Sequence, residues 1–244
     1  MDATTIAVMS IMFAAALVRG LSGFGNALVA MPLLALVIPL KVATPIVAFM
    51  AVGMTIYMLW RGWREAEFKS ALWLVVSAAA GTPLGLIFLR GASEAIVKIA
   101  LAVLMIAFVI YSLAHPRPRH IKGGLSTFIA GFSAGVLGGA YNTNGPPIVV
   151  YGTLRGWDPE RFKATLQGFF LPAGVVIIAG HALAGLWTRE ALTFTLWSAP
   201  ATVLGMVVSH FLSRWIPRER FKTVVHVLLL VCAALLAYKG VSLL

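Results

Sequence analysis

A group of hydrogen-bonding side chains interrupts an apolar region at GGAYNTNGPPIVVYG, residues 138–152. Gly138 and Gly139 are expected to end one short helix, and Asn144 is of a residue type that caps the start of the next. The two prolines that follow are tolerated in a first helical turn, where a missing N–H costs little. A helix start at membrane depth offers free N–H groups and the positive end of the helix dipole, which suit an anion. The sequence therefore predicts an anion-binding break, whose candidate contacts are Tyr141, Asn142, Thr143, Asn144 and Gly145.

A second break of the same kind is predicted in the first half of the chain, at GLSGFGNALVAMP, residues 20–32. Its candidate contacts are Ser22, Gly23, Gly25 and Asn26. The alternative is that both breaks are glycine-rich turns that only let helices pack closely. Irregular backbone at membrane depth persists only where protein buries it or a cavity hydrates it. Two breaks at matching places in two halves therefore favour a binding role.

Single polar residues near the breaks extend the candidate site. Arg19 precedes the first break, and it either attracts the anion or extends its charge to the outer membrane interface. Gln167 follows the second break and is a candidate inward-facing polar group. His181, His210 and His226 lie in apolar segments, where a structural hydrogen bond to a carbonyl of another helix is favoured over proton coupling.

The composition is that of a membrane protein. Of the 244 residues, 60% are hydrophobic and only 11% are charged, and the mean hydropathy is +0.94. A soluble domain carries about 25% charged residues. The net charge of +11 comes from short loops, where basic residues set orientation and meet anionic lipid, so nucleic acid is not expected as a partner. The sequence predicts an all-α polytopic membrane protein.

Ten apolar segments divide into two sets of five. They lie at about 6–20, 24–40, 43–60, 69–89, 94–114, 123–140, 145–154, 162–182, 190–213 and 220–243. The expected organisation is a first membrane repeat (1–114), a cytoplasmic linker (115–124) and a second membrane repeat (125–244). Each repeat is predicted to be a broken or re-entrant helix hairpin plus three transmembrane helices.

Short matches between the halves support a duplication. Three residues of the first half, Gly20, Gly23 and Pro32, match Gly135, Gly138 and Pro147 at an offset of 115. The tetrapeptide TPLG (82–85) also matches TVLG (202–205). Of the 19 Lys and Arg residues, 13 lie in four loops that would be cytoplasmic. That partition predicts oppositely oriented halves, as in many secondary transporters, and termini that both face outward.

The placement of the acidic residues favours an anionic substrate. All eight Asp and Glu residues fall at segment ends or in loops, so no carboxylate is expected at mid-depth for a cation site or a proton relay. The single Cys232 and the scattered histidines suggest neither a disulfide nor a metal cluster, and no cofactor is implied. An enzyme is not expected, because the spans hold no nucleophile–base pair and no carboxylate dyad.

The motifs around the two breaks resemble a known family. GLSGFGNALVAMPLL and PLKVATP in the first half, with GGAYNTNGPPIVVYG and RFKATLQGFF in the second, are similar to the TauE/SafE sulfite exporter family of membrane permeases. The resemblance implies a secondary transporter of the bacterial cytoplasmic membrane that moves sulfite, a sulfonate or a short carboxylate. The segment YNTNGPP replaces the commoner glycine run, so the anion itself is not carried over. A passive anion channel and, less favoured, an integral-membrane enzyme remain alternatives, and the oligomeric state is open.

Overall fold

A computed structural model describes residues 2–62, 68–114, 123–213, 215 and 218–243, and this part of the chain contains ten helices and no strand. The first half holds α1 (Ala3–Ser22), α2 (Asn26–Ala35), α3 (Leu40–Gly62), α4 (Phe68–Gly91) and α5 (Glu94–Leu113). The second half holds α6 (Gly124–Tyr141), α7 (Gly145–Arg155), α8 (Pro159–Leu183), α9 (Arg189–Leu212) and α10 (Arg218–Val241). Each helix overlaps one of the ten segments expected from the sequence.

Eight of these helices are long and apolar enough to cross a membrane, so the chain is a multi-pass membrane protein. The exceptions are α2, with 10 residues, and α7, with 11. At 1.5 Å per residue these two helices are roughly 15 Å long, about half the thickness of a bilayer core. The two arms of each predicted hairpin are therefore unequal, because α1 has 20 residues and α6 has 18.

Polar residues at the described helix starts satisfy backbone N–H groups that have no partner within the helix. Asp2 accepts a hydrogen bond from the Thr5 backbone at 3.1 Å, and Thr188 accepts one from Ala191 at 3.2 Å. Glu94 and Glu190 lie in the first turns of α5 and α9, where their charge favours the positive helix end. Among the described residues the prediction that acids lie at helix ends is confirmed; Glu65 and Glu67 fall outside them.

Glycines allow two helix pairs to approach very closely. A Cβ at Gly85 of α4 would lie 2.0 Å from the Val136 carbonyl oxygen of α6, and a Cβ at Gly205 of α9 would lie 2.6 Å from the Phe13 carbonyl oxygen of α1. No larger side chain fits either position without moving the backbone. Gly85 and Gly205 end the matching tetrapeptides TPLG and TVLG, so the sequence match reports equivalent packing positions.

Several helix pairs of the two halves are related by exchange, whereas the contacts of α2 with α5 and α10 have no comparable counterpart at α7. The exchange replaces each helix of the first half by the helix five places later, and each helix of the second half by the helix five places earlier. The pair α1–α9 then becomes α6–α4, and α3–α9 becomes α8–α4. The pairs α3–α8 and α5–α10 each convert into themselves. Such a pattern is what a two-fold relation between duplicated halves produces. The opposite membrane orientation of the halves remains a prediction, and the predicted linker lies largely outside the described residues, which resume at residue 123.

The short helix α2 is enclosed by the protein. Nine of its ten residues are buried, and it packs against α1, α3, α5 and α10. Lys239 of α10 donates a hydrogen bond to the Leu36 carbonyl at 3.0 Å, just after the helix ends. Backbone that stops inside a membrane must be buried in protein or line a cavity. This enclosure therefore allows α2 to begin at the first break rather than at a membrane surface.

Candidate functional site

The first break is a tight turn built on two glycines. Helix α1 ends at Ser22, and Gly23 (φ 84°) and Gly25 (φ 91°) both adopt left-handed backbone that L side chains rarely occupy. The Gly23 N–H donates to the Arg19 carbonyl at 2.7 Å. The Ser22 hydroxyl lies 2.6 Å from the Val18 carbonyl oxygen and 2.5 Å from that of Phe24. These contacts fix the turn from which α2 starts at Asn26.

The second break uses an asparagine where the first uses a glycine. Helix α6 has 18 residues and continues past Gly138 and Gly139 to Tyr141, so the prediction that those glycines end a short helix is wrong. Asn142 then takes left-handed backbone (φ 52°), which asparagine tolerates better than most residues. Its N–H donates to the Gly138 carbonyl at 2.8 Å, and this bond closes the helix end.

Helix α7 starts at Gly145, as the sequence predicted, but not with the predicted cap. Asn144 occupies the capping position in helical backbone, and its side chain makes no capping hydrogen bond. The reason is its backbone conformation, because a capping side chain reaches back to the helix N–H groups from extended backbone. Pro146 and Pro147 also remove two of the N–H groups that a helix start normally presents. This helix end therefore supplies fewer backbone donors than expected.

The two breaks meet at one small cavity of about 30 Å³. Seven of the candidate residues line it: Arg19, Gly25, Asn26, Asn142, Thr143, Asn144 and Gly145. The chain contains three asparagines, and all three are in this set. In a chain with so few amide side chains, this convergence from two distant segments marks the cavity as a polar site inside an apolar protein.

Arg19 is the charged residue of the cavity. Its side chain is only 2% exposed, so the alternative that it extends to the outer interface is wrong. One terminal nitrogen donates to Asn26 Oδ1 at 2.8 Å, and the other donates to Thr55 Oγ1 at 2.5 Å. The guanidinium carbon lies 5.2 Å from the ring centroid of Phe170, which is within cation–π range. Arginine remains charged in proteins, so the cavity holds a fixed positive charge.

Two buried hydrogen-bond donors of this site have no partner among the described residues. They are Nε of Arg19 and Nδ2 of Asn26. Asn26 is 3% exposed, and its amide oxygen already accepts from Arg19, so its NH₂ group points elsewhere. A buried donor without an acceptor costs about 1–3 kcal/mol. A ligand with acceptor oxygens would remove that cost.

The remaining candidates lie beside the cavity rather than on it. Gln167 of α8 donates from Nε2 to the Gly23 carbonyl at 3.1 Å, and so ties α8 to the first break. Ser22 is engaged within the same turn. Tyr141 is buried, and its hydroxyl donates to the Val97 carbonyl of α5 at 2.9 Å. Ser22, Gly23, Tyr141 and Gln167 thus support the breaks and are absent from the residues that line the cavity.

Other lining residues were not among the candidates predicted from the sequence. Thr55 and Val52 belong to α3, and Phe170 and Gly174 belong to α8. A Cβ at Gly174 would lie 2.6 Å from a Val52 methyl carbon, so α3 and α8 pack closely beside the cavity. These residues lie far from both breaks in the chain. Their place at the cavity depends on how α3 and α8 pack against the breaks, and local sequence motifs do not contain that information.

His181 and His226 have partners in neighbouring helices. His181 is fully buried, and its Nε2 lies 3.4 Å from the Gly139 carbonyl of α6, the cross-helix contact expected for a structural histidine. Nε2 of His226 lies 2.9 Å from the Ser112 hydroxyl of α5. No group of three metal-ligating side chains occurs in the described part of the chain. No acidic residue is among those that line the cavity.

The chain matches the family model described as sulfite exporter TauE/SafE over residues 8–236. It therefore belongs to the TauE/SafE sulfite exporter family. The match spans both halves and both breaks, and it confirms the family expected from the motifs around them. Neither a curated protein nor a solved structure matches the chain significantly.

Proposed function

We propose, from membership of this permease family, that the cavity between the two breaks binds a small anion on its way across the membrane. The observation that carries the proposal is the buried pair Arg19 and Asn26. Together they hold one positive charge and two donors without a described acceptor. An anion with acceptor oxygens complements both properties. The substrate classes that we propose are sulfite, sulfonates and short carboxylates.

The charge of the cavity argues against a cationic substrate. A cation would stand beside the Arg19 guanidinium, and the residues described around the cavity include no carboxylate to compensate it. The first helical turn of α2 adds free N–H groups and a positive dipole end, because α2 starts at Asn26. A chemical reaction of the anion would require a nucleophile–base pair or a metal at the cavity. The polar side chains of the described lining are instead amides, the hydroxyls of Thr55 and Thr143, and one guanidinium.

A flux assay in proteoliposomes tests this function. Purified protein would be reconstituted, and entry of sulfite, methanesulfonate and acetate would be followed with and without a pH gradient. Saturable entry of at least one anion is expected. Counterflow, in which unlabelled anion inside the vesicles accelerates entry of labelled anion, is expected of a carrier and not of a passive channel. Rates equal to those of empty vesicles for every anion would contradict the proposal.

Asn144 provides the matched test of the site in the same assay. Asn144 lines the cavity and makes no capping hydrogen bond, so its replacement leaves the start of α7 intact. We expect Asn144→Ala to weaken anion binding by about tenfold, the loss of one hydrogen bond to a charged partner. Asn144→Asp should weaken binding further, because a second negative charge then faces the substrate. Arg189→Gln, at the exposed start of α9, should behave as wild type. Wild-type transport in both Asn144 variants would show that the second break serves packing alone.

We further propose that the two halves are oppositely oriented in a bacterial cytoplasmic membrane and that both termini face outward. The partition of basic residues among the loops supports this orientation. A C-terminal reporter that functions only in the cytoplasm should then stay silent, and one that functions only outside should be active. The reverse result would contradict the orientation without affecting the site.

A further inference from the structure

The charge balance of the cavity distinguishes between anions of different valence. Among the described residues that line the cavity, Arg19 carries the one formal charge. It is 2% exposed, and its described partners Asn26 and Thr55 are neutral. The site is therefore positive by one unit while it is empty, with a smaller positive contribution from the start of α2.

The surroundings of the cavity make an excess charge expensive. Phe24, Phe170, Ala51 and Val52 form apolar parts of its lining, and helix α2 behind it is buried in nine of its ten residues. An ion buried without compensation loses its hydration and gains little in return. A monovalent anion neutralises Arg19 in the loaded site. A divalent anion of the same shape leaves one negative charge uncompensated among these groups.

The donor geometry further restricts the ligand. The two described donors without partners lie on residues that hydrogen-bond each other at 2.8 Å. An oxyanion carries several acceptor oxygens on one centre and accepts charge-assisted hydrogen bonds from nitrogen donors such as these. The cavity of about 30 Å³ admits a small group only.

We infer that the site selects its substrate by valence: it accepts a monovalent oxyanion, of the sulfonate, hydrogen sulfite or carboxylate type, and rejects the divalent form. This inference rests on the proposed function of the same cavity. It implies that a diprotic substrate such as sulfite is carried in its singly charged form. The permease then moves a proton with each such substrate without a titrating side chain of its own.

Methanesulfonate and sulfate test the inference, because both are tetrahedral at sulfur and their charges are fixed near neutral pH. Binding to the purified full chain in lipid nanodiscs would be measured by calorimetry at constant ionic strength. Saturable methanesulfonate binding is expected, with sulfate weaker by about a hundredfold or more. Sulfate binding as tight as that of methanesulfonate would overturn the inference and leave the proposed function standing. If methanesulfonate, sulfate, sulfite and acetate all failed to bind, the proposed function itself would be contradicted.

Two substitutions shift the charge balance in opposite directions. Asn26→Asp places a carboxylate where the Asn26 amide oxygen already accepts from Arg19, so the site becomes neutral and methanesulfonate binding should be lost. Asn144→Lys adds a positive charge at a half-buried lining position, and it should raise the affinity for sulfate relative to methanesulfonate by about tenfold. Asn144→Gln changes the size without the charge and should keep the wild-type ratio. An unchanged ratio in a folded Asn144→Lys protein, checked by its thermal melt, would contradict selection by valence.

Discussion

The two breaks share part of their backbone plan and differ in chemistry. Each has a left-handed residue after the first helix, Gly23 in one and Asn142 in the other, and a short helix starts three residues later. The residue just before that helix is left-handed in the first break (Gly25) and helical in the second (Asn144). When the breaks are superimposed on this plan, Arg19 corresponds to Gly138 and Asn26 corresponds to Gly145. The first break therefore supplies the charge and its partner amide, while the second has glycines at those places and polar side chains between them.

The difference makes the site between the two breaks asymmetric. A Cβ at Gly138 would lie 3.3 Å from the Asn144 Cβ and 2.6 Å from an Ile177 methyl carbon, so a second arginine would not fit there without repacking. A second buried charge would also repel the first. The helix start at the first break also offers more backbone donors to an anion. Helix α2 retains its first N–H groups, whereas Pro146 and Pro147 remove two of them from α7. Charge attraction is concentrated at the first break.

The largest expected effect is that of Arg19→Gln. This change removes the fixed charge, so the two breaks become alike in charge, and anion affinity should fall by about a hundredfold or more. Affinity would be measured by calorimetry with methanesulfonate. Arg189→Gln, which removes an exposed arginine that does not line the cavity, is the control and should bind normally. If Arg19→Gln folds and binds with wild-type affinity, the claim that the Arg19 charge attracts the anion is wrong.

An intermediate effect is expected for Asn142→Gly, which makes the second break resemble the first. Glycine adopts the left-handed backbone of this position more readily than asparagine, so the free energy of unfolding should stay unchanged or rise slightly. The amide at the cavity is lost, and anion affinity should fall by about tenfold. The two readouts are a thermal melt and a binding titration. A loss of stability together with unchanged affinity would show that the side chain acts in packing rather than in binding.

The smallest effect is expected for Pro146→Ala, which returns an N–H group to the start of α7. Pro146 is buried and lines the cavity, so the restored donor would face the site. One additional hydrogen bond to an anion should tighten binding by about threefold. Leu34→Ala on α2, a core substitution away from the cavity lining, controls for general loosening of the helices and should not tighten binding. Weaker binding in Pro146→Ala would mean that rigidity of the helix start matters more than its donors.

The sequence predicted the parts of this structure that depend on local pattern. Long apolar runs located all ten helices, and glycine and asparagine located both breaks, because a helix cannot continue through such residues without cost. The repeat offset taken from matching glycines was 115, which pairs Gly23 with Gly138 inside α6. The structure pairs Gly23 with Asn142, about one helical turn later. Because the two alignments differ by about one helical turn, both place similar residues on the same helix face. Residue identity alone could therefore not distinguish them.

The parts that could not be predicted depend on packing between distant segments. The burial of Arg19 follows from its contacts with Thr55 in α3 and Phe170 in α8, which lie 36 and 151 residues away in the chain. The Asn144 cap was a wrong prediction because its backbone is helical, and residue type alone does not determine that conformation. Gln167 was selected correctly as inward-facing, but it supports the first break instead of lining the cavity.

The most direct test of the central claim is a structure of the full chain determined with methanesulfonate in lipid nanodiscs. We expect density for one sulfonate group between the two breaks. Its oxygens should lie about 2.7–3.2 Å from Nε of Arg19 and Nδ2 of Asn26, the two donors of the site that have no partner among the described residues. Density for the anion elsewhere, with both donors still unpaired under conditions in which binding is saturated, would contradict the claim that the two breaks form the substrate site.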